Sequence, residues 1–217
     1  PEGNRNAVAE HALGMLLSLF NKLNKCDTEV RNGSWKREEN RGIELEGKTV
    51  GIIGFGNNGQ AFSKILSGFN IEIIAFDKYK TGFGNNKVQE VTLEELQSRA
   101  DVVSLHIPQT EETTYLIDDT FIDNMDQPFY LINLSRGKIV KTDALVKALK
   151  TGKILGACLD VLEYESSSFE DAFSTHTSPA LDYILKSKKV ILSPHVGGWT
   201  HESYFILSNT LANKIID

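Results

Sequence analysis

Apolar residues come along this chain in two rhythms. Over 6–23 (NAVAEHALGMLLSLFNKL) Val8, Leu13, Leu16, Leu17, Phe20 and Leu23 recur close to helical spacing, which predicts a long amphipathic helix. From 31 to 48 (RNGSWKREENRGIELEGK) the chain is polar and dotted with glycine, as a connecting loop is. Short apolar runs then alternate with helical segments. Runs at 48–55, 71–77, 101–107, 129–135, 154–161 and 188–195 read as six buried strands. Segments at 58–69, 92–100, 118–124, 141–152 and 202–217 read as helices. Thr92 and Glu95 have capping-box spacing, and Gly152 stands where a helix should stop.

Alternating strands and helices make βαβ units, which demand parallel pairing and right-handed crossovers. The expected fold is therefore α/β, a Rossmann-type doubly wound parallel sheet of six or seven strands with helices on both faces. Ligands of such sheets bind outside the carboxyl ends of the strands.

Composition narrows the functional classes. With 41% hydrophobic and 24% charged residues the chain can build a core, which excludes a disordered tail. Its net charge of −6 argues against nucleic acid as a partner. No stretch of about 18 apolar residues suggests a membrane span. Cys26 and Cys158 lie far apart without a CxxC, so they are expected to be reduced core thiols of a cytoplasmic protein. The chain begins at Pro1, so its start does not bear on targeting.

Gly54-x-Gly56-x-x-Gly59 follows the first strand and opens a helix, and Asp77 ends the next strand. This is the layout of a dinucleotide turn. Gly54 permits the turn, Gly56 lets backbone approach a pyrophosphate, and Gly59 lets helix pack on strand. Asp77 would accept from the adenosine ribose and repel a 2′-phosphate, favouring NAD over NADP, while Lys78 weakens that preference. The plainer alternative is a tight turn with a solvated acid.

Three later strand ends carry candidate chemistry. Arg136 follows INLS, Asp160 and Glu165 lie in LDVLEYE, and His195 stands in SPHVGG. Singly these read as a surface arginine, loop acids and a structural histidine. Together they bring a cation, an acid and an imidazole to one crevice. Pro194 is expected to stiffen the approach, and Gly197 and Gly198 to keep the crevice open.

Over nearly its whole length the sequence resembles the nucleotide-binding domain of the D-isomer-specific 2-hydroxyacid dehydrogenases, phosphoglycerate dehydrogenase among them. The resemblance runs through AEHALGMLL (9–17), GKTVGIIGFG (47–56), LHIPQTEETTYLI (105–117), INLSRGKIV (132–140), LDVLEYE (159–165) and SPHVGGWTHES (193–203). It implies that His195 is the acid/base, Glu165 its carboxylate partner and Arg136 the grip on the substrate's carboxylate and carbonyl. It puts Asp160 near the nicotinamide carboxamide and His106, Pro108 and Thr113 in a loop bordering the nucleotide. Leu134 and Gly197 join the cofactor-contacting set with Asn57 and Asn58 of the glycine turn. The cofactor implied is NAD, with no metal, and the substrate a 2-hydroxy or 2-oxo acid, such as 3-phosphoglycerate.

That chemistry suits these residue types. Hydride transfer to a carbonyl carbon builds negative charge on oxygen, and an imidazolium can supply a proton there. A neighbouring carboxylate orients the ring, and a guanidinium fork grips a 2-oxo acid on two points. Several positions depart from the family pattern. Asn57 stands where arginine is usual and Asn58 where an apolar residue is usual. Ser166 replaces a proline, and 166–178 is unusually polar, so mobility of the Glu165 loop without cofactor is expected. His11, His176 and His201 are read as structural or surface residues.

The resemblance also implies an organisation. Residues 1–30 would form an interdomain and dimer helix region, 31–201 the NAD-binding domain, and 202–217 a cut helix returning toward a missing substrate domain. The chain would be a fragment of a homodimer that binds NAD and turns over poorly. A non-enzymatic, NAD(H)-sensing corepressor-like module is the alternative.

Overall fold

A computed structural model describes residues 3–165 and 178–216. Seven strands form one sheet: β1 (Thr49–Ile53), β2 (Glu72–Phe76), β3 (Gln89–Glu90), β4 (Val102–Leu105), β5 (Phe129–Asn133), β6 (Ile154–Leu159) and β7 (Val190–Leu192). Their order is β3-β2-β1-β4-β5-β6-β7, and every neighbouring pair is parallel. The direction of winding reverses between β1 and β4, so a crevice opens there at the carboxyl ends.

The helices are α1 (Arg5–Phe20), α2 (Leu23–Arg31), α3 (Asn57–Leu66), α4 (Leu93–Arg99), α5 (Asp119–Asp123), α6 (Thr142–Thr151), α7 (Pro179–Lys186) and α8 (His201–Ile216). Strands buried on both faces need apolar residues at every position, and here successive residues divide between two cores. Val50, Ile52, Ile73, Ala75, Ile132 and Cys158 pack with Leu16 and Phe20 of α1 and Phe62 of α3. Ile53, Ile74, Val103, Leu131 and Leu159 face the opposite way, onto Leu96, Phe121, Leu145 and Ile184 of α4 to α7.

The Thr92 cap forms as the spacing predicts. Its hydroxyl accepts from the Glu95 amide, while the Glu95 carboxylate accepts from the Thr92 amide. Gly152 ends α6 in the left-handed region, at φ 82°.

Four expectations change. The helix expected over 6–23 stops at Phe20, and a turn with Lys22 at φ 53° starts α2, none of whose residues is buried. The two-residue edge strand β3 and the helix α7 are additional. The last strand shrinks to three residues. Cys26 lies partly exposed on α2 and is no core thiol, whereas Cys158 is buried and desolvation pushes its thiol up. Ser166, His176 and the polar run up to 177 lie outside the described residues. Among the described residues no helix is long and apolar enough to cross a membrane.

Candidate active site

The glycine turn joins β1 to α3. A Cβ on Gly59 would fall 2.1 Å from the Gly54 carbonyl oxygen, so only glycine allows this helix to start so close to the strand. Gly56 is the N-cap of α3 and offers no side-chain cap, and the space beside it is open. The first amides of the helix therefore face an open concavity suited to an anion. Asn57 and Asn58 begin α3, and the buried Oδ1 of Asn58 has no hydrogen-bond partner among the described residues. An open cradle lined by helix amides fits the pyrophosphate of a dinucleotide.

Asp77 follows β2 and holds the turn from the side. Its Oδ2 accepts from the Phe55 amide at 2.7 Å, and its Oδ1 accepts from the amides of Tyr79 and Lys80. Lys78 reaches across to Glu112 at 2.9 Å, and that contact raises its pKa above the usual lysine value. Across the crevice, His106 follows β4. Its Nε2 lies 2.9 Å from the Ser104 hydroxyl and its ring tilts against Phe62. Desolvation pushes its pKa down to about 4, so the ring is neutral at physiological pH. Thr113 donates to the Pro108 carbonyl at 2.7 Å and closes the next loop on itself.

Arg136, Glu165 and His195 come from the ends of the adjacent strands β5, β6 and β7. Arg136 is exposed, and its Nη1 donates to the Ser135 carbonyl. His195 Nδ1 lies 2.8 Å from Glu165 Oε2, and both side chains are about four-fifths covered, at 24% and 20% exposure. The other Glu165 oxygen accepts from the Leu162 amide, which fixes the carboxylate between loop and ring.

Asp160 is 2% exposed. Its carboxylate accepts from the Ser193 hydroxyl and from the amides of Val196 and Gly197. Gly197 does not keep the crevice open as expected. It is buried, and a Cβ there would meet Asp160 Oδ2 at 2.9 Å and Leu134 at 3.1 Å. Gly198 likewise lies against Asn4. Both glycines serve close packing of the turn. His195 itself adopts φ 55°, a left-handed conformation that non-glycine residues take at a cost.

Some supporting residues were not singled out from the sequence. Asn133 is fully buried. It donates to the Arg136 carbonyl and accepts from the Ser135 amide, which shapes the arginine loop. The available signal was a lone amide within the apolar run FYLINL. His11 lies 2.9 Å from the Ser193 hydroxyl, so it bears the structural role read for it.

Residues 13–197 match the model of the D-isomer-specific 2-hydroxyacid dehydrogenase NAD-binding domain. The chain belongs to this family. It is 37% identical to a glyoxylate reductase of Pyrococcus furiosus over 225 residues, covering all of this chain and 63% of that protein. It is also 37% identical to a D-3-phosphoglycerate dehydrogenase of Haemophilus influenzae, covering all of this chain and 51% of that one. Among solved structures it resembles a D-lactate dehydrogenase from Aquifex aeolicus complexed with NAD and lactic acid. The TM-score is 0.87 at 30% identity, over 99% of this chain and 66% of that one. The chain thus spans roughly half to two thirds of the length of these relatives. The family's nucleotide-binding fold agrees with the sheet order, the glycine turn and the crevice found here.

Proposed function

We propose that this chain binds NAD(H) along the carboxyl edge of its sheet and serves the interconversion of a 2-oxo acid and a D-2-hydroxy acid. The observation that carries this reading is the 2.8 Å pairing of His195 with Glu165 beside the strand end that bears Arg136. The glycine turn, Asn57 and Asn58 hold the pyrophosphate, and Asp77 meets the adenosine ribose, favouring NAD. Lys78, His106, Pro108, Thr113, Leu134, Asp160, His195 and Gly197 line the remainder of the cofactor site. Bound NADH supplies the hydride. Arg136 binds the carboxylate of the 2-oxo acid and orients its carbonyl. His195 gives a proton to the carbonyl oxygen, and Glu165 keeps the ring aimed while it does so. In the reverse direction His195 takes that proton back.

Equal identity to a glyoxylate reductase and a D-3-phosphoglycerate dehydrogenase supports the substrate class and favours no single acid. These names favour an enzyme over the corepressor-like alternative. The deciding experiment is titration of this chain with NADH and NADPH by nicotinamide fluorescence, repeated with Asp77→Ala. Tighter NADH binding in the native chain and a lost preference in the variant are expected. Binding of neither nucleotide would sink the reading.

The same reading includes a homodimer through 1–30, the binding domain at 31–201, and contact of 202–217 with a second, substrate-binding domain. Exposed Leu23 and Val30, and a groove of about 680 Å³ between α1, α2 and α7, support a subunit contact there. Exposed Tyr204 and Phe205 on α8 support the interdomain one. Unpaired Cys26 and Cys158 support a cytoplasmic setting. A monomer mass by light scattering at tens of micromolar would overturn the dimer.

A further inference from the structure

The left-handed conformation of His195 needs something to hold it. Four hydrogen bonds of its turn lead to Asp160, 35 residues earlier in the chain. The Asp160 carbonyl accepts from the His195 amide at 2.8 Å. One carboxylate oxygen accepts from the Val196 amide at 2.9 Å and the Ser193 hydroxyl at 2.6 Å, and the other from the Gly197 amide at 2.8 Å. The acid thus binds the residues on both sides of the histidine and the histidine backbone itself.

Behind it stands a second histidine. His11 Nε2, on α1, lies 2.9 Å from Ser193 Oγ and 3.6 Å from Asp160 Oδ1. A serine hydroxyl has one proton. At 2.6 Å from a carboxylate that proton points to Asp160, so His11 must donate to the serine oxygen from Nε2. The order is His11 to Ser193 to Asp160. A nucleophilic serine would donate to its histidine instead, so this array is no hydrolytic triad despite its composition. Its charge is buried and well supplied with donors, which is what makes a buried carboxylate a rigid anchor.

We propose that His11, Ser193 and Asp160 form a positioning array that sets the turn bearing His195 and so aims its ring at Glu165. The proposal rests on the reading of His195 as proton donor. It gives Asp160 an action through His195 in addition to its place at the cofactor site, and it makes α1 part of the active-site framework.

The test labels the five histidines with ¹³C at Cε1. The His195 signal is assigned by its loss in His195→Gln, and its displacement by Glu165→Gln is recorded in each background. Ser193→Ala and His11→Leu leave the buried acid in place, and Asp160→Asn is the harsher variant. The expected result is that Ser193→Ala and His11→Leu each move the His195 signal by more than its line width. Each should also shrink its response to Glu165→Gln by at least half. Ser193→Thr, which keeps the hydroxyl, should restore both. NADH affinity should stay unchanged in Ser193→Ala and His11→Leu. A His195 signal that stays put and keeps its full response in both variants overturns the proposal. So does a loss of NADH affinity in Asp160→Asn with the His195 signal unmoved. Failure of the native chain to bind NADH would instead sink the cofactor reading, and the histidine comparison would still be decided.

Discussion

Gly137 lies so close to Leu162 that a Cβ on it would fall 1.8 Å from the Leu162 carbonyl oxygen. This contact joins the loop after β5, which carries Arg136, to the loop after β6, which carries Glu165. The obstacle is backbone, which no side-chain rotation relieves. Gly137→Ala is therefore expected to cost about 3 kcal/mol of stability, the upper range for overpacking a tight site. It should also separate the two loops, so turnover should fall further than stability alone explains. Urea unfolding combined with a 2-oxo acid assay at a temperature where the variant is folded checks both parts. Native-like stability would show that the loops yield easily.

His106 makes stability depend on acid. Burial lowers its pKa from 6.5 to about 4, so folding releases a proton between those values. Its contribution is fully present above pH 6.5 and is lost as pH falls toward 4, by about 3 kcal/mol at the most. His106→Gln removes the titrating group while keeping a donor and an acceptor. The difference in unfolding free energy between pH 7 and pH 4.5 should be smaller in the variant than in the native chain. Equal differences would mean that the ring gains a proton without leaving its place.

Glu165 and Arg136 should fail in different ways. Glu165→Gln keeps the shape beside His195 and removes the charge, so kcat should drop by about a hundredfold or more while NADH affinity holds. Arg136→Lys keeps the charge and loses the two-pronged grip, so KM for a 2-oxo acid such as glyoxylate or pyruvate should rise by about tenfold. Steady-state NADH oxidation, measured with the proposed substrate-binding domain present, separates the two. Identical patterns in both variants would refute the division of labour.

The strands and the glycine turn were legible because their signals are local. Apolar runs such as TVGII and FYLIN need only their own residues to be recognised, and the spacing of Gly54, Gly56, Gly59 and Asp77 is a sequence property. Helix α2 was hard to read, since LNKCDTEVR buries no residue and only Leu23, Cys26 and Val30 mark an apolar face in a polar stretch. Helix α7 offered a signal, Ser178 as cap and Pro179 in the first turn, but it sits behind a polar run that reads as loop. At the site, residues at strand ends could be read from position alone. Their supports could not, because the partners are distant in sequence. Nothing near His11 announces Ser193, 182 residues away. The role of Gly197 was misread for the same reason: its crowding comes from Asp160 and Leu134, not from its neighbours.

Glu163 ties the acid-bearing loop to two other elements. Its Oε2 accepts from the Thr142 amide at 2.8 Å, capping α6, whose own N-cap Lys141 provides no side-chain cap. Its Oε1 accepts from the Tyr115 hydroxyl at 2.8 Å, and this hydrogen bond raises the Tyr115 pKa above the usual tyrosine value. Tyr115 holds φ 58°, so the bond also steadies an unfavourable backbone conformation. Removing a helix cap costs about 1 kcal/mol, and the second bond adds a comparable amount. Glu163→Ala is thus expected to lose about 2 kcal/mol, and Tyr115→Phe about 1 kcal/mol. Because both bonds end on one carboxylate, the double variant should lose no more than Glu163→Ala alone. A double-mutant cycle by chemical denaturation measures this. Additive losses would mean that Tyr115 stabilises the fold through something other than Glu163.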